Sequence, residues 1–235
     1  MAWDTLHRSA EQSAVLTGAV DRAQPGSVYV LDLDSCLFDT RPRQLRILRS
    51  FAQAHGWPEL YRVRIEHFQT WDLGNTLDLA GVQKGPLKEL QAYWWERFFD
   101  GDWLAHDVPL PGAVPFVHTL HRRGATLVYL TGRHDPMRAG TLESLRTWDF
   151  PLEDGRITLL TKPRFEIQDH VFKRASADLV RKLGAVAFCI DNEPSNVNLF
   201  AEIFPEALVV WMDTDHSPLP VRVRSDLPRV RGFLY

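Results

Sequence analysis

The 235-residue chain is 45% apolar, 24% charged and 11% aromatic, the composition of an ordinary globular protein, and its length allows one large domain, or one with an insertion, rather than a string of modules. A formal charge of -3 provides no basic surface that would advertise a nucleic-acid partner, although it does not exclude one. The two cysteines, Cys36 and Cys189, each lie in an apolar run, which argues for buried thiols in a reducing compartment and against a disulfide framework. The first residues carry charges where a secretion signal needs its apolar stretch, and no run approaches the ~20 residues of a membrane span, so a cytoplasmic protein with no membrane partner is expected.

In chain order, residues 1 to 26 read as one N-terminal helix leading to an apolar run, Ser27 to Leu33, that ends abruptly in polar residues. Such a run fits a buried parallel strand. Residues 41 to about 108 contain no convincing buried strand but do show helical spacing, as at Leu45, Leu48 and Ala52, and read as a helical insertion. Within it the aromatics Tyr93, Trp94, Trp95, Phe98 and Phe99 are expected to pack a core. Arg41, Arg43, Arg46 and Arg49 stand at its start, with the last three spaced to share one helix face; they read as a solvated face rather than an anion site.

Beyond the insertion, Val114, Val117 and Leu120 mark a helix closed by Gly124, and Ala125 to Leu130 a second buried strand. Arg156 to Leu160 is a weaker run, suited to a sheet edge, ahead of Thr161-Lys162-Pro163. Ala175, Leu179 and Leu183 mark a helix stopped by Gly184, followed by strands at Val186 to Ile190 and Ala207 to Met212. The tail after Pro218 is too rich in Arg and Pro to assign. Alternating strands and helices predict an α/β fold, a doubly wound Rossmann-like parallel sheet formed by residues 1-40 and 109-235, with residues 41-108 inserted after the first strand.

Ligands of open parallel sheets bind beyond the carboxyl ends of the strands. The residues there are Asp32, Asp34 and Ser35 after the first run, Thr131, Gly132 and Arg133 after the second, and Asp191, Asn192 and Glu193 after the run ending at Ile190. Carboxylates that would otherwise repel one another suit a hard cation such as Mg2+, which is usually held by one or two carboxylates together with a substrate phosphate. A threonine hydroxyl, backbone amides and a lysine would complete a pocket for a phosphoryl group. Arg133 is read as a substrate contact or a structural ion pair. Asp213, Asp215 and His216 follow the last strand at the same edge and read as a polar turn.

The segment Val30-Leu31-Asp32-Leu33-Asp34-Ser35-Cys36-Leu37-Phe38-Asp39-Thr40 resembles the first signature of the haloacid dehalogenase superfamily of hydrolases. Val128-Tyr129-Leu130-Thr131-Gly132-Arg133 is similar to its second signature, and Ile190-Asp191-Asn192-Glu193-Pro194-Ser195-Asn196 to its fourth. The resemblance implies Asp32 as a nucleophile that forms an aspartyl-phosphate, with Asp34 as general acid and base. It also implies Thr131 as holder of a phosphoryl oxygen, and Mg2+ bound by Asp32, Asp191 and the backbone carbonyl of Asp34. An acid at position 34 separates phosphoryl-transfer members from the dehalogenases, so phosphate is favoured over halide. For the lysine of the third signature the candidates are Lys173 and, in an alternative family spelling, Lys162; Lys173 is preferred, since Lys84 and Lys88 fall in the insertion and Lys182 on the polar side of its helix. Ser35 stands where glycine is usual, and Asn192 where many members have a second acid. By the same resemblance the insertion is a cap that excludes water and selects substrate.

These readings converge on a Mg2+-dependent phosphatase of a small phosphorylated metabolite, with Gly132, Arg133 and Asn192 at the substrate. Within the same class a phosphomutase or a nucleic-acid-end phosphatase is the alternative. Outside it stand a phosphoacceptor switch, which is much shorter and lacks the insertion, and a binding protein on a decayed hydrolase fold. A dinucleotide oxidoreductase is excluded because no glycine-rich turn follows the first strand.

Overall fold

The computed structural model of the protein describes residues 9-83 and 85-235; the first eight residues of the expected N-terminal helix, and Lys84, lie outside these. Helix α1 (Ala10–Asp21) starts where the Ser9 hydroxyl accepts the Gln12 N–H at 3.0 Å, satisfying one of the amides that a helix start leaves unpaired. Then come β1 (Ser27–Leu31), β2 (Phe38–Asp39), α2 (Arg41–His55), α3 (Leu73–Leu79), α4 (Leu87–Phe98), β3 (Val108–Pro109) and α5 (Ala113–Arg122). The chain continues through β4 (Thr126–His134), α6 (Arg138–Thr147), β5 (Ile157–Lys162), α7 (Asp169–Ala175), α8 (Ala177–Lys182), β6 (Ala185–Asp191), α9 (Pro194–Ile203), β7 (Leu208–Met212) and β8 (Arg229–Val230).

Six strands form one parallel sheet in the order β5-β4-β1-β6-β7-β8. Every residue of β1 is buried, because the central strand has helices on both faces, and this is why its sequence is continuously apolar rather than alternating. Tyr29 and Leu31 face a core with Leu16, Phe116 and Leu120 of α1 and α5, whereas Val28 and Val30 face the opposite core with Val180, Val197 and Phe200 of α8 and α9. The five predicted strands appear as β1, β4, β5, β6 and β7, with the weak run, β5, at an edge. Strand β8 and the two-stranded antiparallel ribbon β2-β3 were not predicted: each strand is two residues long, too short for a hydrophobic period. No helix among the described residues is long and apolar enough to cross a membrane.

Two expectations need correction. The helix marked by Ala175, Leu179 and Leu183 is two helices, broken at Ser176, whose N–H and hydroxyl both donate to the Phe172 carbonyl at 2.9 Å. The break resets the phase, so Ala177 and Val180 are buried while Leu179 is 46% exposed. The arginine row is not one solvated face: Arg43 is fully buried and Arg41 nearly so, held by Asp39 at 2.8 Å, whereas Arg46 is exposed.

Between β2 and β3 the chain forms a helical region with its own apolar core of Ile47, Leu48, Phe51, Leu60, Leu77, Leu90, Trp94 and Phe98. It leaves and rejoins the sheet through the ribbon, where Phe38 pairs with Pro109 and Asp39 with Val108. This connection suspends the helical region over the carboxyl end of β1.

Candidate active site

Asp32 extends the β1 ladder by one residue, its N–H donating to the Ile190 carbonyl at 3.1 Å. The chain then turns tightly: the N–H groups of Cys36 and Phe38 both donate to the Leu33 carbonyl, at 3.2 and 2.8 Å, and Ser35 sits at φ 54°. A side chain in this left-handed region costs of order 1 kcal/mol. The surroundings hold it there, because the Ser35 hydroxyl meets that of Thr40 at 3.2 Å and its carbonyl accepts from the Thr214 hydroxyl.

Two buried charge clusters result. In the first, the Lys173 ammonium, from α7, donates to Asp32 Oδ1 at 2.7 Å and to Asp191 Oδ2 at 2.6 Å, all three groups lying below about 8% side-chain exposure. Asp191 Oδ1 accepts from the Glu193 N–H at 2.9 Å and from Asn196 Nδ2 at 3.2 Å, where α9 begins. Burial pushes the Asp32 carboxyl well above its ordinary pKa; Lys173 opposes the rise, and the charges of Asp191 and Asp34 add to it. Lys173 is held above its ordinary value by Asp191 and Asp32, although burial alone would lower it.

In the second cluster, Asp34 Oδ1 accepts from Arg43 Nη2 at 2.6 Å and from Arg133 Nη2 at 2.9 Å, while Arg133 Nε reaches Asp34 Oδ2 at 2.8 Å. Both guanidiniums also meet the fully buried Asp107, Arg43 Nε at 3.0 Å and Arg133 Nη2 at 2.9 Å. Burial of Asp34 opposes its ionisation, but Arg133 and Arg43 outweigh it and hold the carboxyl well below the ordinary range. Asp107 goes the other way: burial, helped by the charges of Asp34 and Asp39, raises it to about 7 against the two guanidiniums.

Thr131 is fully buried at the β4 edge, its hydroxyl accepting the Arg133 N–H at 3.2 Å. Gly132 is required by a close approach, since a Cβ there would lie 2.1 Å from Asp169 Oδ2. Asp169 in turn binds Lys162 at 2.7 Å, which occupies the second lysine candidate away from Asp32. Lys182 is exposed and Lys88 lies in α4. Asn192 is buried and braces the loop after β7, donating to the Asp215 carbonyl at 2.7 Å while its own carbonyl accepts from Trp211 Nε1 at 2.9 Å.

Asp32, Asp34, Lys173, Asp191, Gly132, Arg133 and Asn192 line one cleft of about 550 Å3 beneath the helical insertion. Sequence reasoning missed the structural part of Asp215, which is 1% exposed, accepts from Trp71 of the insertion at 3.0 Å and is raised to about 6, chiefly by burial. It also missed Asp107, for which no sequence signal existed: an aspartate in a loop announces a turn, and only the fold sets it against Arg43 and Arg133. Arg43 did carry a signal, the three-residue spacing, but its face was misread.

No family model matches the sequence, and no curated protein matches it. Solved structures do match. A Mycobacterium tuberculosis structure named as protein tyrosine kinase A is 16% identical, with TM-score 0.56 over 88% of this chain and 94% of its own. A protein assigned as a phosphatase from Clostridium difficile is 14% identical, with TM-score 0.53 over 77% and 82%. A HAD-superfamily hydrolase, subfamily IA, variant 1, from Geobacter sulfurreducens is 16% identical, with TM-score 0.52 over 92% and 94%. At these identities the likeness is one of fold. With a six-stranded parallel sheet centred on β1 and a helical insertion directly after it, the chain is haloacid dehalogenase-like in fold.

Proposed function

We propose that the protein hydrolyses phosphomonoesters through an aspartyl-phosphate on Asp32. The observation that carries this reading is the Lys173 bridge. One buried ammonium holds two buried carboxylates at 2.7 and 2.6 Å, which fixes Asp32 at the floor of an open cleft and offers a cation to an incoming phosphoryl oxygen. In the first step an Asp32 oxygen attacks phosphorus, the ester P–O bond breaks and the leaving alkoxide takes a proton. In the second, water attacks the acyl phosphate, releasing inorganic phosphate and restoring the Asp32 carboxylate. Thr131, whose hydroxyl accepts the Arg133 N–H and keeps its own proton to donate, is assigned to a phosphoryl oxygen.

Asp34 is the candidate acid and base, and the arginine clamp divides these roles. Held ionised, it is suited to accept a proton from the attacking water. Protonating the leaving group requires Arg43 or Arg133 to release it, so esters of acidic alcohols suit the resting geometry best.

The donor set fits a divalent cation. Two carboxyl groups share one ammonium in the first cluster, and both guanidiniums of the second are bound to Asp34 and Asp107; a phosphate dianion would therefore enter a site whose lysine and arginines are already committed. Among the described residues no three acid, histidine or cysteine side chains are grouped to hold a metal by themselves; the resemblance of the motifs assigns Asp32, Asp191 and the Asp34 backbone carbonyl as the groups that would hold Mg2+. When bound, Mg2+ supplies charge neutralisation at the phosphoryl group.

The test is hydrolysis of a phosphomonoester panel with Mg2+ and after chelation, by wild type and Asp32→Asn. Turnover is expected only with Mg2+, and Asp32→Asn is expected to abolish both turnover and a hydroxylamine-sensitive phosphoenzyme. Wild-type activity in Asp32→Asn, or undiminished turnover after chelation, refutes the nucleophile or the metal respectively.

A further inference from the structure

The reactive groups share the cleft with five large aromatic side chains. Trp95 and Phe98 of α4 line it together with Phe99 just after that helix, Trp71 and, from the segment between β5 and α7, Phe165. The rings are arranged edge to face: Phe99 and Phe165 stand 4.9 Å apart at 72°, Trp95 and Phe165 5.6 Å apart at 84°, and Trp95 and Phe99 4.8 Å apart at 62°. Although these rings contact one another, Trp95 is 52% exposed, and Leu219 on the rim is 59% exposed. Large apolar side chains left open beside a polar site retain surface that a ligand would remove from water. At about 550 Å3 the cavity falls in the range of sites that hold a whole small molecule, far more than a phosphoryl group requires.

The cations of the cleft are already committed. Arg43 and Arg133 are bound to Asp34 and Asp107, Lys162 to Asp169, and Lys173 to Asp32 and Asp191. Among the described residues of the cleft, a second anionic group on the substrate would find no uncommitted lysine or arginine and would meet the exposed Glu166 and the half-buried Asp169. Uncharged hydrogen-bonding groups fare better, because Gln168 and His170 lie exposed along the same wall. An edge-to-face arrangement also favours a flat ring, which offers its face or edge to the quadrupoles of Trp95 and Phe165, over a puckered one of equal size.

Resting on the phosphomonoester reading above, we propose that the substrate is the monophosphate ester of a neutral alcohol bearing a flat aromatic ring, seated against Trp95, Phe99 and Phe165 with its single phosphate at Asp32 and Lys173. The aromatic wall belongs to both halves of the protein, α4 in the insertion and Phe165 in the sheet region, so ring binding also bridges the two.

Binding and turnover are measured separately on the full chain. By calorimetry in Mg2+, benzylphosphonate is expected to bind about 30-fold tighter than methylphosphonate and several-fold tighter than cyclohexylmethylphosphonate. The half-exposed Trp95→Ala is expected to cut the benzyl-over-methyl preference roughly tenfold, with the folded state checked by its unfolding transition. In kcat/KM, 2-phenylethyl phosphate is expected to exceed glycerol 3-phosphate, with matched alkyl leaving groups, and 2-phosphoglycerate to be the poorest. Equal binding of the benzyl and methyl compounds, equal binding of the benzyl and cyclohexylmethyl compounds, or a preference unmoved by Trp95→Ala overturns the aromatic assignment even if hydrolysis is robust. If no ester is hydrolysed yet benzylphosphonate binds and depends on Trp95, the phosphatase reading fails while the aromatic site beside a single phosphoryl group stands.

Discussion

The two charge clusters at the carboxyl edge of the sheet lie side by side and are both buried, yet their charge balance is opposite. Around Lys173 two carboxylates share one cation, and burial drives Asp32 toward its protonated form. Around Arg133 two carboxylates meet two guanidiniums through short contacts, and Asp34 is driven toward its ionised form. The groups also differ in origin. Lys173, Asp32 and Asp191 all come from the sheet region, whereas Arg43 and Asp107 come from the insertion and its return, and Asp34 and Arg133 from the strand ends. A deficient cluster can accept a further charged ligand; a balanced one spanning two parts of the chain locks them in register. Carboxylates at one sheet edge thus meet two different charge environments, and the difference lies in the kind and count of cations around them.

Arg133→Ala should break this comparison most severely. It strips Asp34 and Asp107 of one of the two guanidiniums they share and leaves Arg43 alone between them, so a loss of about 3-5 kcal/mol in urea unfolding is expected. A loss below 1 kcal/mol would mean that the balanced cluster does not join the insertion to the sheet.

A smaller loss, about 2-3 kcal/mol at pH 7, is expected for Lys173→Met, because Asp32 is already biased toward the neutral form and can relieve the repulsion by taking a proton. The loss should shrink toward pH 5. A pH-independent loss would show that the first cluster is not charge-deficient.

The third effect is a slope. The folded pKa of Asp107, about 7, lies above its unfolded value, so the native state binds the extra proton between roughly pH 4 and 7, and its contribution to stability declines as pH rises through that window. Asp107→Asn removes this decline, and the stability gap between wild type and variant should narrow from pH 5 to pH 7.5 in thermal unfolding. Asp34, depressed in the fold, contributes above its unfolded pKa and loses that contribution only in stronger acid, so its effect lies outside this window. A gap that widens with pH would reverse the assignment of Asp107.

The smallest effect is expected on the α8 face, at Leu179. Leu179→Ala should change stability by less than about 0.5 kcal/mol, whereas the fully buried Val180→Ala should cost about 2 kcal/mol. The reverse order would restore the helical phase that the sequence spacing suggested.

The apolar runs by themselves determined the sheet: a continuous run such as Ser27-Val28-Tyr29-Val30-Leu31 can be stable only when covered on both faces, and the polar residue that ends it must lie at the open edge. That is why the sequence places Asp32, Asp191 and the Thr131-Gly132-Arg133 segment, the end of β4, at one rim. The choice between Lys173 and Lys162 was only a weighing of helix positions, and the fold separates them by giving each a different aspartate, Asp32 for one and Asp169 for the other. Tertiary structure alone decided that Arg43 is buried, that Asp107 is its partner from 64 residues further along the chain, and that Asp34 is clamped rather than free. Hydrophobic periodicity is a local property and survives in the one-dimensional record. The state of a buried charge depends on which opposite charges the fold brings within about 3 Å, and two-residue strands such as β2 and β3, which bring them there, are too short to leave a periodic trace.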